Sequence, residues 1–316
     1  MRLRQLALRL LFLAVTVPGI CFFSFAIMEM APGSPEEMLI MQAGIGRDPT
    51  AVAELRAKLG LDRPWWERFG LWLAGAARGD LGRSVTTGES VGRMVAKRLP
   101  ATLELTFTAW LLALAGALPM GALAALRRGG WTDGLLRALA LTQVSLPGFV
   151  LGLGLLWVFG FWLGWVPVLG GGVLRGLWLP ALCLAAAMTG VYSRMVRERF
   201  LEVLGQDYIL LARAKGLGPW AVLRRHVLKN ALIPLTTLWG MSLGYLLGGA
   251  VVIEVIFSWP GVGVLAVRAI ADRDYPVIQA YVLLVALCFT LINLAVDLGY
   301  LFLDPRVRRR GLLRNG

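Results

Sequence analysis

An all-α polytopic membrane protein is the fold class that this sequence predicts, and three observations predict it. Of 316 residues, 58% are hydrophobic and 16% charged, with a mean hydropathy of +0.69. A soluble domain keeps about a quarter of its residues charged. The apolar residues gather into six runs, each near the roughly 20 residues that a helix needs to cross a bilayer. The net charge of +13 is unevenly spread. Alternate short loops are strongly basic and nearly neutral, the asymmetry by which Lys and Arg hold loops on the cytoplasmic side. A basic balance can also mean nucleic acid. Here the positive residues flank apolar spans, so the expected partner is the lipid bilayer, and no nucleic acid is expected.

Residues 1–30 are the basic N-terminus, with Arg2, Arg4 and Arg9, and a first span from Leu10 to Met28. That run is long enough to span, and no small-x-small cleavage pattern follows, so it reads as uncleaved. Residues 31–100 are the one long polar section, with ten basic against eight acidic residues. Such a balance suits a small external domain, because long loops translocate largely regardless of charge. Val52 to Leu59 has helical spacing. Trp65, Trp66, Phe69, Trp72 and Leu73 recur at helical intervals, as expected of an amphipathic helix at the interface or of one packed on the span tops. Arg93, Lys97 and Arg98 crowd the outer approach to the second span.

Residues 101–303 hold the other five spans. The second runs from about Thr102 to Leu126 with a kink expected at Pro119, and Arg127–Arg128 mark a short inner turn ending at Asp133. The third covers about Leu135 to Leu163, with Pro147–Gly148 in its first half. A Gly-rich outer loop, 164–177, leads to the fourth span, about Trp178 to Met195. The fifth covers about Ala231 to Phe257, and its Gly240, Gly244, Gly248 and Gly249 form a small-residue face that lets helices approach closely. The loop 258–276 is net neutral, the sixth span covers about Val277 to Leu303, and residues 304–316 are a basic tail. Six spans put both termini on one side, and the loop charges make that side the cytoplasm.

The loop 196–230 stands out. From Arg194 to Asn230 it holds eight basic against three acidic side chains, a net of +5, and Gly punctuates it. Asp207 is a candidate N-cap for a short helix from Tyr208 to Lys215. Gly216 can end that helix in the left-handed conformation that only Gly adopts cheaply. Gly218–Pro219 restarts a helix with Pro at its favoured first position. The second helix carries Arg224, Arg225, His226 and Lys229 before Asn230. The outline is a rigid elbow on a membrane surface. A plain solvated loop would share its local features; a DNA-reading helix-turn-helix would need a free recognition helix, and both flanks here are buried in lipid.

Several function classes drop out. No GxxxxGK[ST] phosphate loop exists. Cys21, Cys183 and Cys288 lie in separate apolar runs and His226 is the only histidine, so a Cys/His metal site is not expected. No nucleophile–base arrangement is visible, so the chain is not expected to be an enzyme. Pro119, Pro147, Pro180 and Pro234 free backbone carbonyls within spans, which neighbours must satisfy. Glu254 and Asp297 lie near span ends, where helix-end hydrogen bonding is the favoured role over ion relay. An ion-coupled secondary transporter would need a buried carboxylate relay that these spans lack, and no internal repeat of the kind such transporters carry is apparent.

The elbow sequence Ala212–Arg213–Ala214–Lys215–Gly216–Leu217, followed by Asn230–Ala231–Leu232–Ile233–Pro234, resembles the cytoplasmic loop of ABC-importer permeases of the dipeptide, oligopeptide and nickel branch. Similarity continues along the chain: Leu59–Gly60–Leu61–Asp62–Arg63–Pro64, Gly79–Asp80–Leu81–Gly82, and Arg98–Leu99–Pro100–Ala101–Thr102–Leu103–Glu104–Leu105. It includes the outer-loop motifs Phe257–Ser258–Trp259–Pro260–Gly261–Val262–Gly263 and Arg273–Asp274–Tyr275–Pro276–Val277–Ile278–Gln279, and ends at Leu303–Asp304–Pro305–Arg306. The wider family has Glu where Leu210 stands, a departure that the peptide branch shares.

The resemblance implies the type I importer permease fold and the role of first permease subunit. It implies a coupling function for Asp207, Tyr208, Ala212, Arg213, Ala214, Lys215, Gly216, Leu217, Gly218, Arg224, His226 and Asn230, and an outer-loop motif at Trp259, Pro260, Gly261, Gly263, Arg273, Asp274, Tyr275 and Pro276. The implied partners are a second homologous permease, one or two cytoplasmic ATPases and an external solute-binding protein. ATP would be used by the ATPases, and no cofactor would be bound by this chain. The implied cargo is a dipeptide or oligopeptide, with glutathione, nickel and metal chelates as the branch's alternatives.

Overall fold

The computed structural model describes residues 2–30, 50, 62–165 and 176–303. Val52–Leu59, the Leu59–Gly60–Leu61 part of its motif, most of the Gly-rich loop and the basic tail lie outside the described residues, as does the side chain of Asp297. Among the described residues the named elements are all helical: α1 (Arg2–Met30), α2 (Trp65–Ala77), α3 (Val91–Leu126), α4 (Trp131–Ser145), α5 (Gly148–Leu155), α6 (Trp178–Leu204), α7 (Asp207–Ala214), α8 (Pro219–Val222), α9 (Leu228–Ile256), α10 (Val262–Ala271) and α11 (Tyr275–Leu303). Among the described residues five stretches are long and apolar enough to cross a membrane: Leu11–Met30, Val91–Leu126, Trp178–Leu204, Pro234–Ile256 and Tyr275–Val296.

The third expected span is broken. The helix Trp131–Ser145 and the helical stretch Gly148–Trp162 meet at 101°, so they are one bent span or a re-entrant pair, where the sequence suggested one span with an internal Pro–Gly. The cause is local. Pro147 disfavours the helical conformation of the residue before it, and Leu146 is extended, at φ −81°, ψ 123°. Pro147 then caps the next helix, its carbonyl accepting from the Val150 and Leu151 N–H groups. Pro100 and Pro119, by contrast, lie within one unbroken α3, which begins eleven residues before Thr102.

The chain divides into two compact units. The first takes the chain up to Thr102 together with Pro260–Thr290. In it α2 packs on α1 through aromatic rings: Phe22 lies 5.3 Å from Trp65 and 5.4 Å from Phe69, centroid to centroid, and Phe25 lies 5.8 Å from Phe69. Arg68 pairs with Glu29 and sits over the Phe25 ring. The Trp65, Phe69 and Trp72 stripe is therefore a packing face, while Trp66 and Leu71 stay more than half exposed. A second apolar cluster gathers Val91, Val95, Val262, Leu265, Ala269, Val277 and Ala280.

The second unit takes Leu103–Trp259 and the chain from Leu291. Its helices close to backbone contact at small residues, as packing in lipid favours. A Cβ added at Gly121 would stand 2.5 Å from the Ser193 carbonyl oxygen, one at Gly190 2.6 Å from that of Ala140, and one at Gly240 2.4 Å from Val296. A polar thread runs through this packing. The Trp110 Nε1–H donates to the Trp239 carbonyl at 2.8 Å, Ser242 Oγ donates to the same carbonyl at 2.7 Å, and Tyr192 bonds Ser242.

Candidate functional site

The elbow lies in the second unit, and its corner is a complete hydrogen-bonded cap. Gly216 has φ +82°. Its N–H donates to Arg213 O at 2.9 Å, and the Leu217 N–H donates to Ala212 O at 3.2 Å. These are the two bonds of a Schellman cap, which satisfies the carbonyls left open at a helix end. At the other end of α7 the structure corrects the sequence reading by one residue. Gln206, extended at ψ 145°, is the N-cap, and no side chain bonds there; Asp207 is the first helical residue. The Gln206 carbonyl already accepts the Ile209 N–H at 3.0 Å, so the turn starts one position early. Asp207 still acts favourably as a negative charge on the positive helix end.

Gly218 caps α8 with Pro219 at the first helical position, as the sequence implies. The second elbow helix does not stop at Asn230. It passes from α8 through a π-helical turn, Leu223–Val227, directly into α9, so lever and span are one continuous rod. Tyr208, His226 and Asn230 come together and tie α7 to that rod. Asn230 Nδ2 donates to His226 O at 2.9 Å and to the Tyr208 hydroxyl at 3.3 Å, and the Tyr208 and His226 rings are 6.5 Å apart. Ile209 and Ala212 are buried; Arg213, Ala214, Lys215, Gly216, Gly218 and Arg224 are exposed, and Leu217 is half-buried. Leu210 and Leu211 are also exposed, at 70% and 57%, an apolar patch at the tip that sequence reasoning passed over.

The base of the elbow carries a second feature that was missed. The Arg197 guanidinium, on α6, donates from Nε to Asp133 Oδ1 at 2.8 Å and from its terminal nitrogen to Oδ2 at 2.7 Å. Asp133 is 2% exposed, lies in the first turn of α4, and also accepts the Gly129 N–H at 3.1 Å. In the sequence both charges read only as markers of inner loops, and residues 64 apart give no local sign of pairing.

The outer-loop motif divides between the units. In the second, Trp259 is 4% exposed and its N–H donates to Glu254 O at 2.8 Å. Glu254 is itself fully buried. In the first, Pro260 is exposed, Gly261 is the N-cap of α10, Gly263 is buried, and the Thr102 hydroxyl accepts the Val262 N–H at 2.9 Å. The carboxylate of Asp274, 2% exposed, is a knot. It accepts the Val85 N–H at 3.1 Å, the Thr86 hydroxyl at 3.0 Å and the Ser84 hydroxyl. It thereby fastens the turn after Gly79–Asp80–Leu81–Gly82 to the Arg273–Asp274–Tyr275–Pro276 motif. The Tyr275 hydroxyl donates to Met28 O at 3.3 Å, and Pro276 Cβ lies 3.9 Å from where a Gly82 Cβ would stand.

Two more Schellman caps end α9 and α10, and neither uses glycine. Ser258 has φ +50° and Arg273 φ +52°. The Ser258 and Trp259 N–H groups reach Val255 O and Glu254 O, and the Arg273 and Asp274 N–H groups reach Ile270 O and Ala269 O. A left-handed L-residue costs about 1–2 kcal/mol. Ser258→Gly and Arg273→Gly are each expected to raise the stability of the solubilised chain by up to about 1 kcal/mol, after the added chain entropy of Gly. Thermal unfolding in one detergent checks this; a loss of stability in both variants would mean that their side chains outweigh the backbone strain.

With this geometry in place, comparison with known proteins gives its context. Residues 117–309 match the family described as the binding-protein-dependent transport system inner membrane component. The glutathione transport system permease protein GsiC of Escherichia coli O6:H1 (strain CFT073) is 40% identical over 300 residues, 95% of this chain and 97% of that protein. GsiC of Salmonella paratyphi A is also 40% identical over the same shares. Among solved structures, inward-facing forms of the MetNI methionine ABC transporter align with TM-scores of 0.57 and 0.58 at 20% identity, covering 67% of this chain and 96% of theirs. At that identity the likeness concerns the fold, which is that of an ABC importer permease. The chain belongs to the binding-protein-dependent transport system inner membrane component family and is a multi-pass permease subunit of an ABC importer.

Proposed function

We propose that this chain is one half of the translocation path of an importer for short peptides, glutathione-like peptides included. The observation that carries the substrate class is 40% identity along 95% of the chain to a glutathione permease. A second homologous permease would complete the path, one or two cytoplasmic ATPases would consume ATP, and an external solute-binding protein would deliver the cargo. The permease itself would contribute no catalytic group and hold no cofactor. The orientation that serves this scheme has both termini in the cytoplasm, residues 31–100 outside, and the loop 196–230 facing the ATPase. The basic elbow and neutral outer loops support it.

In this reading α7 seats in a groove of an ATPase. The exposed Leu210 and Leu211 offer apolar contact, and Arg213 and Lys215 offer charge. Closure of two ATPases would pull on α7, and the continuous rod from Pro219 to Ile256 would carry that displacement into the membrane. A capped corner transmits such a pull, whereas a flexible loop would absorb it.

Mild-detergent purification from the native membrane, with mass spectrometry of the co-purifying chains, tests the assembly. A second permease of similar size and at least one ATPase are expected. The co-purified or genetically adjacent binding protein is then titrated with glutathione, dipeptides and nickel. Tight binding of nickel alone would overturn the peptide reading while leaving the importer in place, and a reproducibly solitary chain that transports by itself would overturn both.

A further inference from the structure

A groove of 710 Å³ opens beside the elbow, within the second unit. That volume is in the range of pockets that take a small-molecule ligand, about 300–1,000 Å³. One wall is the last part of α3, Leu118 to Ala122, and the other is the rod, from Trp220 through the π turn to Leu232. Among the described residues its lining is apolar except for Arg224 and Arg225. No acidic residue among the described residues lines it. Both arginines are exposed, and neither has an ion-pair partner among the described residues.

Three consecutive residues of the π turn Leu223–Val227, namely Leu223, Arg224 and Arg225, line the groove. Such π segments are frequent at functional sites. Depth fits as well. Ala122 and Leu118 stand four and eight residues before the end of α3, or roughly 6 and 12 Å along the helix axis. With the end of α3 at the membrane surface, as in the proposed orientation, the groove would extend from that surface into the hydrocarbon. Trp220 is 78% exposed, and tryptophan is the side chain that gathers at the headgroup level.

We propose that this groove binds one anionic phospholipid of the inner leaflet, with its phosphate on Arg224 and Arg225 and an acyl chain along Leu118, Ala122 and Leu232. The charge complementarity selects the headgroup: two unpaired guanidiniums favour a net negative lipid over a zwitterionic one, and guanidinium suits phosphate oxygens in particular. The apolar lining selects a lipid over a free phosphate or a nucleotide. Because α8 and the π turn form the moving end of the lever in the proposed function, a lipid held here would sit against the element that the ATPases displace.

The inner side of the membrane is taken from that proposed orientation, but the test does not depend on it. The purified assembly, with whatever partners accompany the chain, is delipidated and titrated with phosphatidylglycerol or phosphatidylcholine, and retained lipid is counted by native mass spectrometry. One phosphatidylglycerol per chain is expected to be held in preference to phosphatidylcholine by on the order of tenfold. Arg224→Gln with Arg225→Gln is expected to abolish that preference, and the paired Lys variants to keep most of it, which separates charge from folding. A photo-crosslinker replacing Trp220 is expected to capture phospholipid. Equal retention of the two lipids by the wild-type assembly, survival of the preference in the Gln pair, or capture of a second permease chain in place of lipid would each overturn the site. None of these readouts uses uptake, so the importer's substrate and this lipid site can fail independently.

Discussion

Gly216→Val is expected to reduce uptake by the assembled importer about tenfold while leaving the chain folded and its partners bound. Backbone conformation alone sets this expectation. Gly216 sits at φ +82° with both Schellman hydrogen bonds made around it. A Cβ added there would meet nothing within 4 Å, so no packing is disturbed. What remains is the roughly 1–2 kcal/mol by which an L-residue resists the left-handed region, more for a β-branched one. Since 1.4 kcal/mol is a factor of ten in an equilibrium, the population with the capped corner displaced would rise about tenfold or more. The Arg213 and Ala212 carbonyls would lose their partners, and the pull on α7 would dissipate in a loosened turn. Asn enters the left-handed region more readily than other side-chain-bearing residues, so Gly216→Asn is expected to retain most uptake, with Gly216→Ala between. Reconstituted uptake and ATP turnover are measured on all three. Full uptake by the Val variant despite a loosened cap would remove the corner from the coupling mechanism.

The elbow was legible because its signals are local and each has a mechanism. Gly before an apolar residue at a helix end, and Pro after Gly at a helix start, need no knowledge of the rest of the chain. The same logic explains the caps that were missed. The sequence sign of a left-handed cap is glycine, and Ser258 and Arg273 carry none; only the hydrogen bonds disclose them. Asp207 shows the limit in register. A carboxylate is a good N-cap and equally a good first-turn residue, and the choice fell to Gln206 because the chain turned one residue earlier. At Pro147 the error was of size. Proline within an apolar run can kink a helix or end it, and the extended Leu146 and the 101° angle show that it ends one here. The apolar runs themselves were readable from length and composition. The Asp274 knot, built from residues 188–190 apart, and the Asp133–Arg197 pair have no period or spacing that could have announced them.

That pair should give the largest loss of stability. Asp133 is almost wholly buried, with its side chain 3% exposed against 18% for Arg197, and the bond between them is bidentate. Burying two charges is costly, and their attraction recovers that cost only while both are present. Asp133→Ala would leave the Arg197 guanidinium desolvated beside an empty partner position and strip the Gly129 N–H of its acceptor. The expected cost is about 3–5 kcal/mol. Replacing the pair together, Asp133→Leu with Arg197→Met, removes both desolvation penalties and is expected to cost less than either single change. The sign of the coupling is therefore the measurement: thermal unfolding of wild type, both singles and the double, in one detergent. Strict additivity would mean that the two side chains act separately, and the bidentate contact would lose its claim to hold α4 against α6. The consequence for transport follows from position. Arg197 lies ten residues before Asp207 on the helix that leads into the elbow, so the pair is the mount against which the lever works. The double variant, lacking the bidentate registration of α4 on α6, is expected to fold and yet import more slowly per ATP consumed than wild type. A double variant with normal coupling would show that apolar packing alone holds the mount in place.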